Sequence, residues 1–266
     1  MTGSGNDFVM VDGRITTPGD WLASDIRAVC ARGTAVGADG LVFVSPGSGP
    51  GAVRMIYFNS DGSHAAMCGN AALCSTRLAA RLGYGRPEGM CLETDAGPYE
   101  SRCAGGDDRA ELHLAPVSPP EDVPGLGILD GERRAALAVV GVPHLVVLVD
   151  DVAALDLEAR GRALRYDPAI APAGANVNFI APGSSQAAWR MRTYERGIEA
   201  ETLACGTGAV AAACALELWD MSRLPMSFLT WSGRHLGIRA RRLGTGVFDD
   251  IWLQGEARLV FRGVLT

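Results

Sequence analysis

Lysine is missing from this sequence: all 24 basic side chains among its 266 residues are arginines. Without a lysine amine the chain can form no internal aldimine with pyridoxal phosphate and has no Walker lysine for a nucleotide phosphate. Long apolar runs are lacking too. No stretch approaches the roughly 20 residues needed to span a bilayer, and Met1 to Asp12 shows no basic segment leading into the apolar core of a signal peptide. Cysteine pairs of the Cys-x-x-Cys type do not occur, and the histidines at 64, 113, 144 and 235 are scattered. The ligand spacing of a zinc site is therefore absent, and no metal is expected. An excess of negative charge, −6 overall, argues against a nucleic-acid partner. The seven cysteines are odd in number and accompanied by no export signal, which points to reduced thiols in the cytoplasm.

What is present is ample for a globular fold. Apolar residues make up 48% and charged residues 20% of the chain. A chain of this length forms one or two domains and hides about 70–75% of its extended-state surface. The two halves echo each other. In the first, the alternating segment Arg54-Met55-Ile56-Tyr57-Phe58-Asn59 leads through polar turn residues to Met67-Cys68-Gly69-Asn70, and then into an alanine- and leucine-rich run ending near Leu82. In the second, Arg190-Met191-Arg192-Thr193-Tyr194-Glu195 leads through a polar loop to Ala204-Cys205-Gly206-Thr207 and an alanine-rich run ending near Leu218. The two arginines lie half a chain apart, and the two cysteines one residue further. A strand–loop–Cys-Gly–helix unit thus occurs twice.

Between the halves, Ala115 to Gly125 carries Pro116, Pro119, Pro120 and Pro124 and reads as a linker. Short β-type segments are many: Leu41–Val44, Glu111–Leu114, Leu145–Val149, Val177–Ile180 and Arg258–Arg262. Helices are few, near Trp21–Arg32, after each cysteine, and over Ala153–Leu164. The pattern predicts an α+β protein of two lobes. It divides into residues 1–117, completed by a last strand at 258–266, and residues 118–257.

The paired Cys-Gly units carry the chemistry. A cysteine at the mouth of a helix sits where unpaired N–H groups and the helix dipole favour negative charge, which promotes the thiolate. The N–H groups of Gly69-Asn70 and Gly206-Thr207 can hold a substrate carboxylate, and glycine lets the backbone approach closely. Two such units facing each other would place two thiols on opposite sides of one α-carbon, one to remove a proton and one to deliver another. No cofactor is required. Cys30, Cys91, Cys103 and Cys214 read as small core residues instead, and so does Cys74, one and a half turns into its helix.

Taken together, Gly3-Ser4-Gly5-Asn6-Asp7-Phe8, Phe58-Asn59-Ser60-Asp61-Gly62-Ser63, Met67-Cys68-Gly69-Asn70, Pro143-His144, Gly174-Ala175-Asn176-Val177, Tyr194-Glu195-Arg196-Gly197 and Ala204-Cys205-Gly206-Thr207-Gly208 resemble the diaminopimelate epimerase family, in family order and over nearly the whole chain. The resemblance implies two pseudo-symmetric lobes, each a strand-rich barrel-like sheet around a central helix, with the site in the cleft between them. It implies a cofactor-independent, two-base inversion at an amino-acid α-carbon by Cys68 and Cys205, in amino-acid and specifically lysine biosynthesis. On the same ground Cys68 looks partnered by His144 and Cys205 by Glu195, each pair sharing a proton. Asn6, Asn59, Asn176, Glu195 and Arg196 match positions that hold the amino and carboxylate groups of the substrate. Arg196 offers a planar fork suited to a distal carboxylate. The implied partner is a small amino acid, with no nucleic acid and no membrane, and a homodimer is allowed.

The sequence also departs from the family. Val142 stands where an asparagine usually precedes Pro-His, and Ala71 and Leu73 replace the usual glycine and arginine after Cys68. The loop from Glu195 to Cys205 is one residue longer, at Ile198-Glu199-Ala200-Glu201, and the usual first strand is reduced to Met1-Thr2. These differences leave the reaction centre intact and alter distal recognition. Diaminopimelate leads, LL- or meso-, with another amino acid as the rival substrate of a racemase. A catalytically inactive binding protein or a thiol redox protein of the same fold are the remaining readings.

Overall fold

The computed structural model describes residues 1–183 and 188–265. The chain divides into two compact units, Met1–His113 with Gln254–Thr266, and Leu114–Leu253. Among the described residues no helix is long and apolar enough to cross a membrane.

The first unit runs β1 (Thr2–Gly3), β2 (Asn6–Asp12), α1 (Ala23–Cys30), β3 (Gly40–Pro46), β4 (Ala52–Asn59), β5 (His64–Ala65), α2 (Gly69–Leu82), β6 (Met90–Thr94), β7 (Gly97–Ala104) and β8 (Arg109–Leu114). Its strands lie in the order β1-β2-β3-β4-β6-β7-β8, with β5 paired to β4. β3 lies parallel to β2 and antiparallel to β4, and β6 lies parallel to β4. Leu41, Val42, Phe43 and Val44 of β3 are all buried. Such an unbroken apolar run fits a strand covered on both faces, and both α1 and α2 pack on β3. Ile26 and Cys30 of α1 meet Leu41 and Phe43 in one apolar cluster.

The second unit repeats this plan. It runs β9 (Glu132–Val140), β10 (Val142–Val149), α3 (Leu157–Arg165), β11 (Asn176–Pro182), β12 (Ala188–Glu195), β13 (Ala200–Thr202), α4 (Gly206–Leu218), β14 (Met226–Leu229) and β15 (His235–Arg242), followed by β16 (Phe248–Glu256). β11 lies parallel to β10 and antiparallel to β12, β13 closes a hairpin on β12, and β14 lies parallel to β12. Each pairing has its counterpart around α2. α3 covers one side of this sheet, where Leu157 and Leu164 join Leu145, Val147, Val177, Phe179 and Tyr194.

The helices after the two cysteines are the most enclosed elements. In α4 every residue from Gly208 to Glu217 is buried, and a helix apolar on all sides belongs inside a sheet. α2 is buried from Asn70 to Ala79, and its hydroxyls are satisfied locally: Ser75 Oγ donates to Ala71 O at 2.8 Å and Thr76 Oγ1 to Ala72 O at 2.9 Å.

Three expectations need correction. Residues 259–265 form no strand, and only Arg258 makes an isolated bridge, to Thr2; Thr266 lies outside the described residues. The proline-rich stretch is tied down, because Val117 bridges Phe248 and Glu121 bridges Leu137. Cys91 is exposed and Cys103 half-buried, so neither is a core residue.

Candidate active site

Cys68 is the N-cap of α2 and Cys205 the N-cap of α4, each with an extended backbone. Their carbonyls accept the first helical bonds, from Ala72 N at 2.9 Å and Ala209 N at 3.0 Å. The amides of Gly69, Asn70, Gly206 and Thr207 fall in the first turns, which have no acceptor within the helix and carry the positive end of its dipole. Such a terminus suits a carboxylate. Cys205 Sγ lies 3.7 Å from Thr207 Oγ1. The other helical thiols are different: burial pushes both Cys74 and Cys214 up to about 12, which keeps them protonated.

In the first unit Asn6 opens β2 and Asn70 sits in the first turn of α2. Asn70 Nδ2 donates to Asn6 Oδ1 at 2.7 Å, and Asn6 Nδ2 donates to Asp39 Oδ2 at 3.0 Å. A carboxylate only accepts, so Asp39 fixes the orientation of the Asn6 amide and, through it, that of Asn70. Asp39 is in turn held by Arg32 at 2.8 Å and by the Asp7 backbone N–H at 3.1 Å. The Asn70 amide oxygen is buried with no hydrogen-bond partner among the described residues. Asn59 ends β4, and its Nδ2 donates to Ser63 Oγ at 3.0 Å. The turn that carries it is fastened near Asp39, whose carbonyl accepts from Ser60 N at 3.1 Å.

In the second unit the adjoining ends of β10, β11 and β12 bring His144, Asn176, Glu195 and Arg196 together. His144 and Asn176 are register partners, and Asn176 Oδ1 accepts from Arg196 N at 2.8 Å. Glu195 ends β12 as Asn59 ends β4. Burial raises the Glu195 carboxyl above its ordinary value, with Thr202 acting against the rise. His144 is fully buried, and that burial, followed by the charge of Arg196, lowers its imidazole to about 3. The longer loop after Glu195 becomes the β12–β13 hairpin, with Glu199 at φ +58° and its N–H donating to Glu195 O at 2.8 Å.

Sequence reasoning passed over Asp39 and Asn178. Asp39 lay hidden in a Gly-Ala-Asp-Gly turn. Asn178 is a polar residue inside the apolar strand Asn-Val-Asn-Phe-Ile-Ala-Pro, a break in pattern that was the available signal.

A strand-wrapped buried helix, built twice and capped each time by a cysteine, defines the class of protein. The fold recurs in a crystal structure of a Bacillus anthracis phenazine biosynthesis protein of the PhzF family, with a TM-score of 0.69 at 13% identity, covering 97% of this chain and 91% of that one. It recurs also in a hydroxyproline epimerase from Agrobacterium vitis, with a TM-score of 0.61 at 20% identity, covering 96% and 87%. The family model described as diaminopimelate epimerase matches residues 1–114 and 136–225. Proteins named diaminopimelate epimerase from Gemmatimonas aurantiaca and Aquifex aeolicus are 44% and 37% identical, over 100% of this chain and 98% and 96% of theirs. The chain belongs to the diaminopimelate epimerase family.

Proposed function

We propose that this chain is a diaminopimelate epimerase, an isomerase that inverts one α-carbon of its substrate with two thiols and no cofactor. The observation that carries this reading is the repeated placement of a cysteine as the N-cap of a buried helix that opens on glycine. One cysteine, as thiolate, takes the α-hydrogen; the other, as thiol, gives a hydrogen to the opposite face. The roles exchange in the reverse direction. The first-turn amides of Gly69, Asn70, Gly206 and Thr207 hold the substrate carboxylate and stabilise the charge that gathers on it as the α-hydrogen leaves. Asn6, Asn59, Asn176 and Arg196 position the amino and carboxylate groups. Glu195, with its raised carboxyl, and His144 accompany the thiols. Thiol bases need a reducing compartment, so the same reading places the protein in the cytoplasm.

A second reading, racemisation of another amino acid, is favoured by Val142. This residue opens β10, is 38% exposed and offers no side-chain hydrogen bond. A polar distal end facing Val142 finds no hydrogen-bond partner on that side chain, which removes one hold on it. The deciding experiment incubates the chain in deuterated water with diaminopimelate, lysine, ornithine, arginine and histidine, and follows α-deuterium together with configuration. Deuterium uptake with inversion, greatest on diaminopimelate, is expected. Greater turnover of another amino acid establishes the second reading. Uptake on none of the five overturns both.

A further inference from the structure

His144 sits in a cage that admits one arrangement of its ring hydrogen. Nδ1 lies 3.2 Å from Asn178 Nδ2. Which end of the Asn178 amide faces the ring follows from the other neighbours of that side chain. Its Nδ2 is also 3.4 Å from Leu145 O and 3.3 Å from Asn176 O, and carbonyl oxygens only accept. Its Oδ1 accepts from Thr193 Oγ1 at 3.1 Å. Turned over, the amide would set its oxygen against two carbonyl oxygens. So Nδ2 donates to Nδ1, the lone pair is at Nδ1, and in the neutral ring the hydrogen is on Nε2. Asn178 and Thr193 are 0% and 2% exposed, so water does not compete for these bonds. Space is reserved as well: a Cβ at Gly208, in the first turn of α4, would land on Asn178 Oδ1. His144 Nε2 is itself buried, with no hydrogen-bond partner among the described residues.

We propose that Asn178, anchored by Thr193 and given room by Gly208, is a positioning residue that locks His144 as the Nε2–H tautomer, so that His144 serves the reaction as a hydrogen-bond donor and not as a base. The proposal rests on the reading of His144 as part of the site. Burial supports it, since a ring held to about 3 carries no charge at neutral pH and takes up no proton there. An N–H fixed in direction and unpaired within its own unit is suited to an anion: a thiolate, or a carboxylate whose charge grows as the α-hydrogen leaves.

The test is imidazole ¹⁵N spectroscopy of the full chain. It has four histidines, so subtraction of the His144→Gln spectrum assigns the signal. At neutral pH the expected pattern is the neutral ring with hydrogen on Nε2. In Asn178→Asp a carboxylate accepts from Nδ1, so the hydrogen moves there, and kcat falls by about 10²-fold with KM little changed. Where Asn178→Asp fails to fold, Thr193→Val loosens the amide and gives mixed tautomers with an intermediate kcat. Thr193→Ser keeps the hydroxyl and restores both. A charged ring or an Nδ1–H ring in the unmodified chain overturns the proposal, as does a shifted tautomer with kcat unchanged. If the unmodified chain is inactive on all five amino acids while its tautomer is as stated, the functional reading falls and the lock on His144 stands.

Discussion

A histidine held neutral at a cost in basicity makes stability depend on pH in a calculable direction. His144 has an ordinary value of 6.5 when unfolded and about 3 when folded. Between these values the unfolded chain binds a proton that the folded chain refuses, so unfolding takes up a proton and stability rises with pH. The contribution is complete above about 6.5 and is lost as pH falls toward 3. The slope approaches about 1.4 kcal/mol per pH unit at most. Urea unfolding of the unmodified chain and of His144→Gln from pH 7 to pH 4 should therefore give a stability difference that narrows, or reverses, as the pH falls. Parallel curves would show that His144 titrates alike in both states. At this scale the sequence named His144 and Asn6 but not their supports. Asn178 and Asp39 act through side-chain amides and carboxylates whose partners are remote in sequence, and no local spacing reveals those.

Helices α2 and α4 were legible because their signals are local. A glycine follows each cysteine, alanine fills both runs, and Gly83 stops the first. Gly83 adopts φ +78° and its N–H reaches the carbonyls of Ala79 and Ala80, which closes the last turn in the left-handed conformation. A Cβ there would meet nothing within 4 Å, so the cost of Gly83→Ala is one of backbone alone. Chemical denaturation should show a loss of about 1 kcal/mol, with Gly83→Asn less affected because asparagine tolerates this conformation. Equal stability of Gly83→Ala and the unmodified chain would argue that the cap contributes nothing. The misread element failed for the opposite reason. Arg258-Leu259-Val260-Phe261-Arg262 has a strand-like composition, yet strand formation requires a neighbour to pair with. Val260 and Phe261 are instead 54% and 63% exposed. Strand propensity describes fitness for a pleated, half-buried surface and cannot supply that surface.

The whole chain is a duplication, and the duplication governs what each half can do alone. β2 and β10, β4 and β12, β5 and β13, α2 and α4 occupy matching places in their units, and Cys68 and Cys205 cap the matching helices. The halves have diverged at equivalent strand ends: Asn6 opens β2 where Val142 opens β10, and Asn59 closes β4 where Glu195 closes β12. The repeat was visible in the sequence because strand, cysteine and helix recur in order. The divergence leaves His144 and Glu195 in one half only. Under the two-thiol mechanism each cysteine is the sole carrier of hydrogen on its face of the α-carbon. Cys68→Ala and Cys205→Ala should each lower inversion by at least the 10²–10⁴-fold typical of a lost acid or base, with the fold intact by circular dichroism. A variant left with one thiol can still remove and return hydrogen on its own face. Deuterium uptake with retention should then persist for one stereoisomer in Cys68→Ala and for the opposite one in Cys205→Ala. That crossed pattern separates two one-faced bases from a single base that serves both faces, because a single base would leave one variant active in both respects and the other inert. Near-normal inversion in either variant would remove the two-thiol mechanism.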